Sequence, residues 1–338
     1  MTATDDHASM LDVARLAGVS VSTVSRALRG SPLVSPETTE RVTAAATELS
    51  FAISRVASGL ASGRLGRIGV LVSGSLDAWF NGSILDAIYA RLALADTELS
   101  IFRTRDQAER QAFFTRLPAR RNVDALVVAS FALTAAERQR LQALGMPVVY
   151  LNQRVRGVPS VSIDDAAGTR DGVRHLRSLG HRRIAFVQPE NPTGFRYSAT
   201  DRVDGFRAAM SEAGVPPEEQ QVITAADAGS GDEVVATALS APAPPTALVA
   251  ESDEIAIGIL GAMHRVGLRA PDDVSLLGFD DHALAARLGL STIAQPVDAL
   301  GTQAAELALT LAAGDVPARR VQVVPTRLVL RRTTGPVP

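Results

Sequence analysis

The chain has 338 residues, 46% of them hydrophobic and 21% charged, with 34 basic against 36 acidic side chains. That is enough apolar material for two or three cored domains, and the near-neutral balance excludes a protein that is basic throughout, so any nucleic-acid surface is local. Cysteine is absent, which excludes disulfides and thiolate metal sites and fits a reducing compartment. The first residues, Met-Thr-Ala-Thr-Asp-Asp-His, carry acids and no apolar signal-peptide core. Apolar runs elsewhere fall short of the roughly 20 residues a membrane helix needs. A soluble, cytoplasmic protein with no membrane partner is expected.

Residues 1–9 read as a tail, and residues 11–28 as two short helices joined by a turn at Gly18-Val19. Leu11, Ala14, Leu16 and Ala17 supply an apolar stripe on the first. Ser20 is an N-cap for the second, whose Val24, Ala27 and Leu28 return to meet the first helix. Val21, Ser22, Ser25, Arg26 and Arg29 are left facing outward. Two helices around a glycine turn form a helix-turn-helix, whose second helix enters a DNA major groove. The local charge agrees, since residues 13–36 hold Arg15, Arg26 and Arg29 and no acid. A third helix follows, capped by Ser35 with Pro36 at its first position, and Val42, Ala45, Ala46 and Leu49 close a three-helix core. Residues 50–66 have linker composition, within which Ser54 begins a short helix containing Val56, Ala57 and Leu60. Gly59 weakens that helix by up to about 1 kcal/mol, so it is expected to order only on a partner.

From Arg67 the texture changes. Strands are expected at 68–72, 99–102, 124–129, 147–151, 184–187, 247–250 and 274–279, and helices at 84–94, 135–144, 167–179, 201–213, 253–266 and 299–313. Alternation of this kind indicates parallel sheets in doubly wound α/β layers. A segment of this size suggests two similar lobes with a ligand between them at the strand carboxyl ends.

The run Asp12-Val-Ala-Arg-Leu-Ala-Gly-Val-Ser-Val-Ser-Thr-Val-Ser-Arg, followed by Val34-Ser-Pro-Glu-Thr, resembles the headpiece of the lactose/galactose-repressor family of bacterial transcription regulators. The resemblance continues in order through Gly66-Arg-Ile-Gly-Val, Leu179-Gly-His-Arg-Arg-Ile-Ala-Phe, Pro271-Asp-Asp-Val-Ser-Leu-Leu-Gly-Phe-Asp-Asp, Thr292-Ile-Ala-Gln-Pro and Pro325-Thr-Arg-Leu-Val-Leu-Arg. It implies a helix-turn-helix headpiece over residues 1–53, a hinge over 54–66 and a periplasmic-binding-protein-like effector and dimerisation core over 67–338. The core would divide into one lobe of about 67–163 and 295–324 and another of about 164–294 and 325–332. A homodimer on a pseudo-palindromic operator, switched by a small-molecule effector, is the implied mode of action, with no cofactor and no metal.

At the matching positions the resemblance gives Val21, Ser22 and Arg26 to base edges. Arginine suits guanine O6 and N7, serine either edge partner, and valine a thymine methyl. Ser20, Thr23, Ser25, Ser35 and Thr38 fall near the phosphate path, where the plainer reading is a cap or surface hydroxyl, and Arg29, in place of a common asparagine, is expected to add a phosphate contact, with a base contact as the alternative. Ser54, Ala57 and Leu60 match the hinge helix that enters the minor groove, with Leu60 as the wedge. Ile53 in place of a common proline is a departure from the pattern there.

Effector contacts are implied for Trp79, Phe80, Asn152, Arg196, Arg202, Ser252, Asp280 and Gln295. An aromatic face, arginines, a carboxylate and amides suit a polyhydroxylated ligand, and Arg196 with Arg202 would suit a phosphate. The plainer alternatives are a core tryptophan at 79, a turn cap at 280 and a surface helix arginine at 202. Asn152 and Ser252 depart from the commonest aspartate and asparagine. A sugar or sugar derivative is the expected effector, with a phosphorylated metabolite, a purine or no effector at all as alternatives. An enzyme is disfavoured: His7, His175, His181, His264 and His282 show no HExxH-type spacing, and no nucleophile elbow, P-loop or dinucleotide fingerprint occurs. Asp-Asp pairs at 164–165, 272–273 and 280–281 look like caps or ligand contacts. A transport sugar-binding protein would share the core but not the headpiece.

Overall fold

The computed structural model describes residues 8–28, 31, 33–51, 64–153, 155, 157–191, 199–227 and 229–337. The chain divides into two compact units, Met1–Gly66 and Arg67–Pro338.

In the first unit the described residues form three helices: α1 (Met10–Ala17), α2 (Val21–Ala27) and α3 (Pro36–Glu48). Each begins on a serine whose hydroxyl accepts a first-turn N–H that has no partner within the helix. Ser9 receives Asp12 N–H at 3.3 Å, Ser20 receives Thr23 N–H at 3.1 Å and Ser35 receives Thr38 N–H at 3.3 Å. Asp12 returns the bond by accepting Ser9 N–H at 2.9 Å, so Ser9 belongs to a capping box and not to a tail. Gly18 ends α1 at φ 66°, a left-handed conformation that lets its N–H reach the Ala14 carbonyl. Val13, Ala14, Ala17, Val24, Ala27, Val42, Ala45 and Ala46 make the core. The expected stripe on α1 needs correction. Leu11 and Leu16 are 58% and 47% exposed, whereas Val13 is fully buried. At about 100° per residue, both leucines lie roughly a quarter-turn or more to either side of the Val13–Ala14–Ala17 face.

The second unit contains two six-stranded sheets. The first is built from β1 (Arg67–Ser73), β2 (Glu98–Thr104), β3 (Ala125–Ala129), β4 (Val148–Leu151), β5 (Ser160–Ser162) and β11 (Val321–Val323), in the order β11-β5-β4-β3-β1-β2. All its pairings are parallel. The second is built from β6 (Ile184–Pro189), β7 (Gln221–Ala225), β8 (Ala247–Ala250), β9 (Ser275–Asp280), β10 (Ser291–Ala294) and β12 (Arg327–Val329), in the order β12-β10-β9-β8-β6-β7. It is parallel except for the β10–β12 edge. The chain passes between the sheets after β5, after β10 and after β11.

Helices cover the sheets: α4 (Trp79–Ala93), α5 (Gln107–Arg116), α6 (Ala135–Gln142), α7 (Asp165–Ser178), α8 (Thr200–Glu212), α9 (Gly231–Ser240), α10 (Asp253–Arg265), α11 (Ala283–Leu288) and α12 (Val297–Ala312). In the first sheet's layer α12 packs on α4, and in the second's α7 packs on α8. A Cβ at Gly205 would strike the Ala166 carbonyl, so glycine is what allows α7 and α8 to close. Among the described residues no helix is long and apolar enough to cross a membrane.

Several elements were not anticipated from the sequence, and for identifiable reasons. β5 is wholly buried yet reads Ser-Val-Ser, and β11 and β12 are three-residue edge strands. α5 is polar along most of its length, although Asp106 caps it by accepting Glu109 N–H at 2.8 Å. α9 has no side-chain cap to announce it.

Candidate functional site

The outward face of α2 carries Val21, Ser22 and Arg26, all exposed. Its amino end is a cluster of hydroxyls, with Ser20 Oγ lying 2.8 Å from Ser22 Oγ and 2.9 Å from Thr23 Oγ1. Ser35 donates to Thr38 Oγ1 at 2.9 Å while capping α3. Ser20 and Ser35 are therefore caps, with their hydroxyls shared among neighbours. Ser25 is half-buried on α2, beside the exposed Arg26. Arg29, Ser54, Ala57 and Leu60 lie outside the described residues.

In the second unit a crevice of about 740 Å³ opens where the chain crosses between the two sheets. Trp79, at the start of α4, lies on its first-sheet side; Asp280 and Asp281, at the end of β9, lie on its second-sheet side. Gln295, Pro296 and Thr326 come from the crossing segments themselves. Ligands bind open α/β sheets beyond the carboxyl ends of their strands, and here the backbone is strained at such ends. Ser130 (φ 67°) follows β3, Asn152 (φ 53°) follows β4, and Asp280 (φ 121°) and Asp281 (φ 61°) close β9. None is glycine, and positive φ in such residues is characteristically retained at ligand clamps.

Trp79 is held in place from both lobes. Asn81 donates its side-chain amide to the Ser73 and Ser75 carbonyls at 2.9 and 2.7 Å, ordering the turn before α4. No side chain of that turn caps the helix. Instead Glu254, from the first turn of α10, accepts Trp79 N–H at 3.5 Å. The indole lies 5.5 Å from the His282 ring, and His282 Nδ1 accepts Leu284 N–H at 3.0 Å to cap α11.

Asp280 is the electrostatic centre. Its Oδ1 accepts Gln295 Nε2 at 2.6 Å and Arg202 Nη1 at 3.3 Å. Arg202 is buried, with 5% of its side chain exposed, so the surface-arginine alternative fails. Its Nε donates to Asp165 at 2.8 Å, Nη1 also reaches the Glu251 carbonyl, and the guanidinium lies 3.6 Å over the Phe279 ring. Asp253 accepts the Thr292 hydroxyl and His282 N–H, both at 2.7 Å. A Cβ at Gly278 would collide with the Asp253 carboxylate, so glycine there makes room for it.

Three acids, Asp165, Glu251 and Asp280, thus act on one buried guanidinium, and Asp253 lies next to Asp280. Burial pushes Asp280 up to about 8, against the pull of Arg202 and with reinforcement from Asp253. Burial likewise raises Glu251 and Asp253 to about 7 and lifts Asp165 above its ordinary range despite Arg202. For Arg202 burial favours the neutral form, but the Asp165 and Asp280 charges outweigh it and raise its pKa. Gln295 is 4% exposed, and its Oε1 has no partner among the described residues.

Of the effector residues expected from the sequence, Trp79, Asp280 and Gln295 share the crevice wall and Arg202 joins through Asp280. Three others have different surroundings. Phe80 packs against the central apolar core, Asn152 is buried and accepts Ile163 N–H at 3.5 Å, and Ser252 caps α10 by accepting Ile255 N–H at 3.3 Å. Arg196 lies outside the described residues. Glu254, His282 and Asn81 were not singled out for the site, and Asp165 was named only within an Asp-Asp pair expected to act as caps or ligand contacts. The Asp-Asp pairs were the available signal: Asp164 caps α7 through Ala167 N–H at 2.9 Å, while its neighbour pairs with Arg202. Among the described residues no group of histidines and acids is arranged to hold a metal ion.

Residues 9–54 match the family described as bacterial regulatory proteins, lacI family, and residues 173–334 match the periplasmic binding protein-like domain. The chain is 30% identical to the HTH-type transcriptional regulator DegA of Bacillus subtilis, covering 97% of this chain and 98% of that one. It is 32% identical to the HTH-type transcriptional regulator GalR of Salmonella typhimurium, covering 98% and 97%. Among solved structures, a lac repressor dimer bound to operator and the anti-inducer ONPF superposes with a TM-score of 0.85 at 28% identity, covering 97% of this chain and 99% of that one.

Proposed function

We propose an effector-gated action on DNA for this chain, which belongs to the lacI family of bacterial regulatory proteins and is a helix-turn-helix transcriptional regulator. Two copies bind a pseudo-palindromic operator in the cytoplasm, each through α2, and act as a repressor by binding and not by catalysis. Arg26 takes guanine O6 and N7, Ser22 a polar base edge and Val21 a thymine methyl. Ser20, Thr23, Ser25, Arg29, Ser35 and Thr38 contact phosphates, which position the headpiece without reading sequence. Ser54, Ala57 and Leu60 form the hinge that enters the minor groove when DNA orders it. The headpiece over 1–53, the hinge over 54–66 and the two-lobed core over 67–338 are the working parts.

A sugar or sugar derivative in the crevice switches the dimer, because a ligand that prefers one lobe arrangement shifts the population toward it. The observation that carries this reading is the convergence of Trp79, Asp280 and Gln295 on one cavity at the crossings between the sheets. The relative solved with operator and a small-molecule anti-inducer supports it. A phosphate is the weaker fit, since Arg202 already engages two carboxylates.

Thermal denaturation against sugars, sugar phosphates, nucleosides and purines tests the reading. At a hundred times its Kd a ligand adds about 2.7 kcal/mol to stability. A hit that Asp280→Asn abolishes supports the crevice as effector site. A hit that survives both Asp280→Asn and Gln295→Leu places the effector elsewhere.

A further inference from the structure

We propose that the crevice selects an ammonium-bearing polyol, a sugar amine, over neutral and anionic sugars, an inference that rests on the crevice being the effector site. Gln295, on the crevice wall, holds one acceptor without a donor among the described residues. Asp280 and Gln295 both line the crevice, and the bond from Gln295 Nε2 to Asp280 at 2.6 Å turns the amide oxygen away from that carboxyl. The amide oxygen is left buried and unpartnered among the described residues, in a side chain 4% exposed. A buried acceptor of this kind calls for a donor. An ammonium brings three N–H groups and no acceptor.

Charge argues the same way. Among the described residues Arg202 is the one buried cation of the site, and it is engaged by Asp165, Asp280 and the Glu251 carbonyl. At the rim Asp281 is neutralised by Arg331 at 2.7 Å, while Asp298, exposed at the start of α12, and Arg327, exposed on β12, both line the crevice. Burial holds the Asp280 carboxyl up at about 8 despite Arg202, so near neutral pH it is largely protonated, and an ammonium beside it would supply the charge that lets it ionise. A hydroxyl would satisfy the amide oxygen but leave Asp280 un-ionised. A phosphate or carboxylate would keep Asp280 protonated and meet Asp298 as a like charge. Trp79 adds an aromatic wall, which attracts a cation and covers sugar C–H bonds.

The test is calorimetric titration of the full chain with glucosamine, galactosamine and mannosamine, each beside its parent hexose, its N-acetyl derivative and its 6-phosphate. At least one amine should bind about tenfold or more tightly than its parent, the yield of one buried charge-assisted hydrogen bond. Its N-acetyl derivative should lose that advantage. Asp280→Asn should bring the amine to within about twofold of the parent hexose. Asp298→Asn, at an exposed position, should lower the preference by about two- to threefold with the fold intact. If a neutral or phosphorylated sugar binds as tightly as every amine, and Asp280→Asn weakens it, the effector site stands and the amine preference is overturned. If no amine binds, the proposal is overturned; if nothing in the panel binds, the crevice fails as a sugar site as well.

Discussion

The indole of Trp79 lies 5.5 Å from the imidazole of His282, at an interplanar angle of 48°. One ring begins α4 over the first sheet, and the other caps α11 beside the second. Glu254 adds a second tie across the same crevice by accepting Trp79 N–H. The contact thus links the two layers at the edge of the cavity, where a bound molecule would press on both.

Trp79 is the sole tryptophan of the chain, so intrinsic fluorescence reports on the crevice without any added label. Because the ring is only half-buried, a ligand that covers it should expel water and shift the emission to shorter wavelength. Trp79→Ala should also remove an aromatic contact of about 0.5–1.5 kcal/mol. That predicts a fall of roughly 1–6 °C in the melting temperature of the core. An emission maximum unmoved at saturating effector would separate Trp79 from the binding event.

The buried carboxyls make stability depend on pH in an unusual direction. Asp280, held at about 8, and Asp253 and Glu251, at about 7, sit above their ordinary values. Between the ordinary carboxylate range and these values the folded state holds protons that the unfolded state has released. Stability therefore falls as pH rises through 7 to 8, by at most about 1.4 kcal/mol per pH unit for each group titrating. Melting curves from pH 6 to 9 should slope downward, and Asp280→Asn should flatten the slope near pH 8. A rising or level profile in the wild type would contradict the assignment.

Gly278 makes space for the Asp253 carboxylate. Gly278→Ala should displace that side chain from Thr292 and His282 N–H and cost about 2–4 kcal/mol, the range for disrupting a buried hydrogen-bonded network. Denaturant titration of the core checks it. A change below about 0.5 kcal/mol would show that the carboxylate has an alternative position.

On the headpiece, two substitutions should separate reading from support. Arg26→Ala should cost about 1–3 kcal/mol of operator affinity and relax specificity at one base pair. Ser20→Ala should remove a cap of about 1 kcal/mol and lower headpiece stability. Binding to a panel of operator variants, beside headpiece melting, distinguishes them. Equal specificity for the Arg26→Ala variant across that panel would remove Arg26 from base contact.

Much of this was legible before any coordinates. Ser20, Gly18, Ser35 and Pro36 announce their helices because caps and left-handed turns are written in residue type. Runs such as β3 and β8 declare themselves by being apolar throughout. What stayed hidden depends on tertiary placement. Leu11 and Leu16 look like core until the position of α3 decides which face of α1 is covered. Ser160 and Ser162 look like loop, yet the neighbouring strands β4 and β11 bury them. Arg202 was visible as a candidate, but its enclosure by Asp165, Glu251 and Asp280 depends on segments far apart in sequence meeting at one point.

On the proposed function, occupancy of the crevice changes the hold of α2 on DNA. The most direct measurement is fluorescence anisotropy of a duplex selected by the protein from a randomised palindromic library, with and without saturating crevice ligand, for the wild type and Asp280→Asn. Ligand should change wild-type affinity by about tenfold, a coupling of roughly 1.4 kcal/mol. Asp280→Asn should bind the duplex as the wild type does without ligand and ignore the ligand. A ligand that binds the crevice and leaves wild-type operator affinity unchanged would contradict the claim.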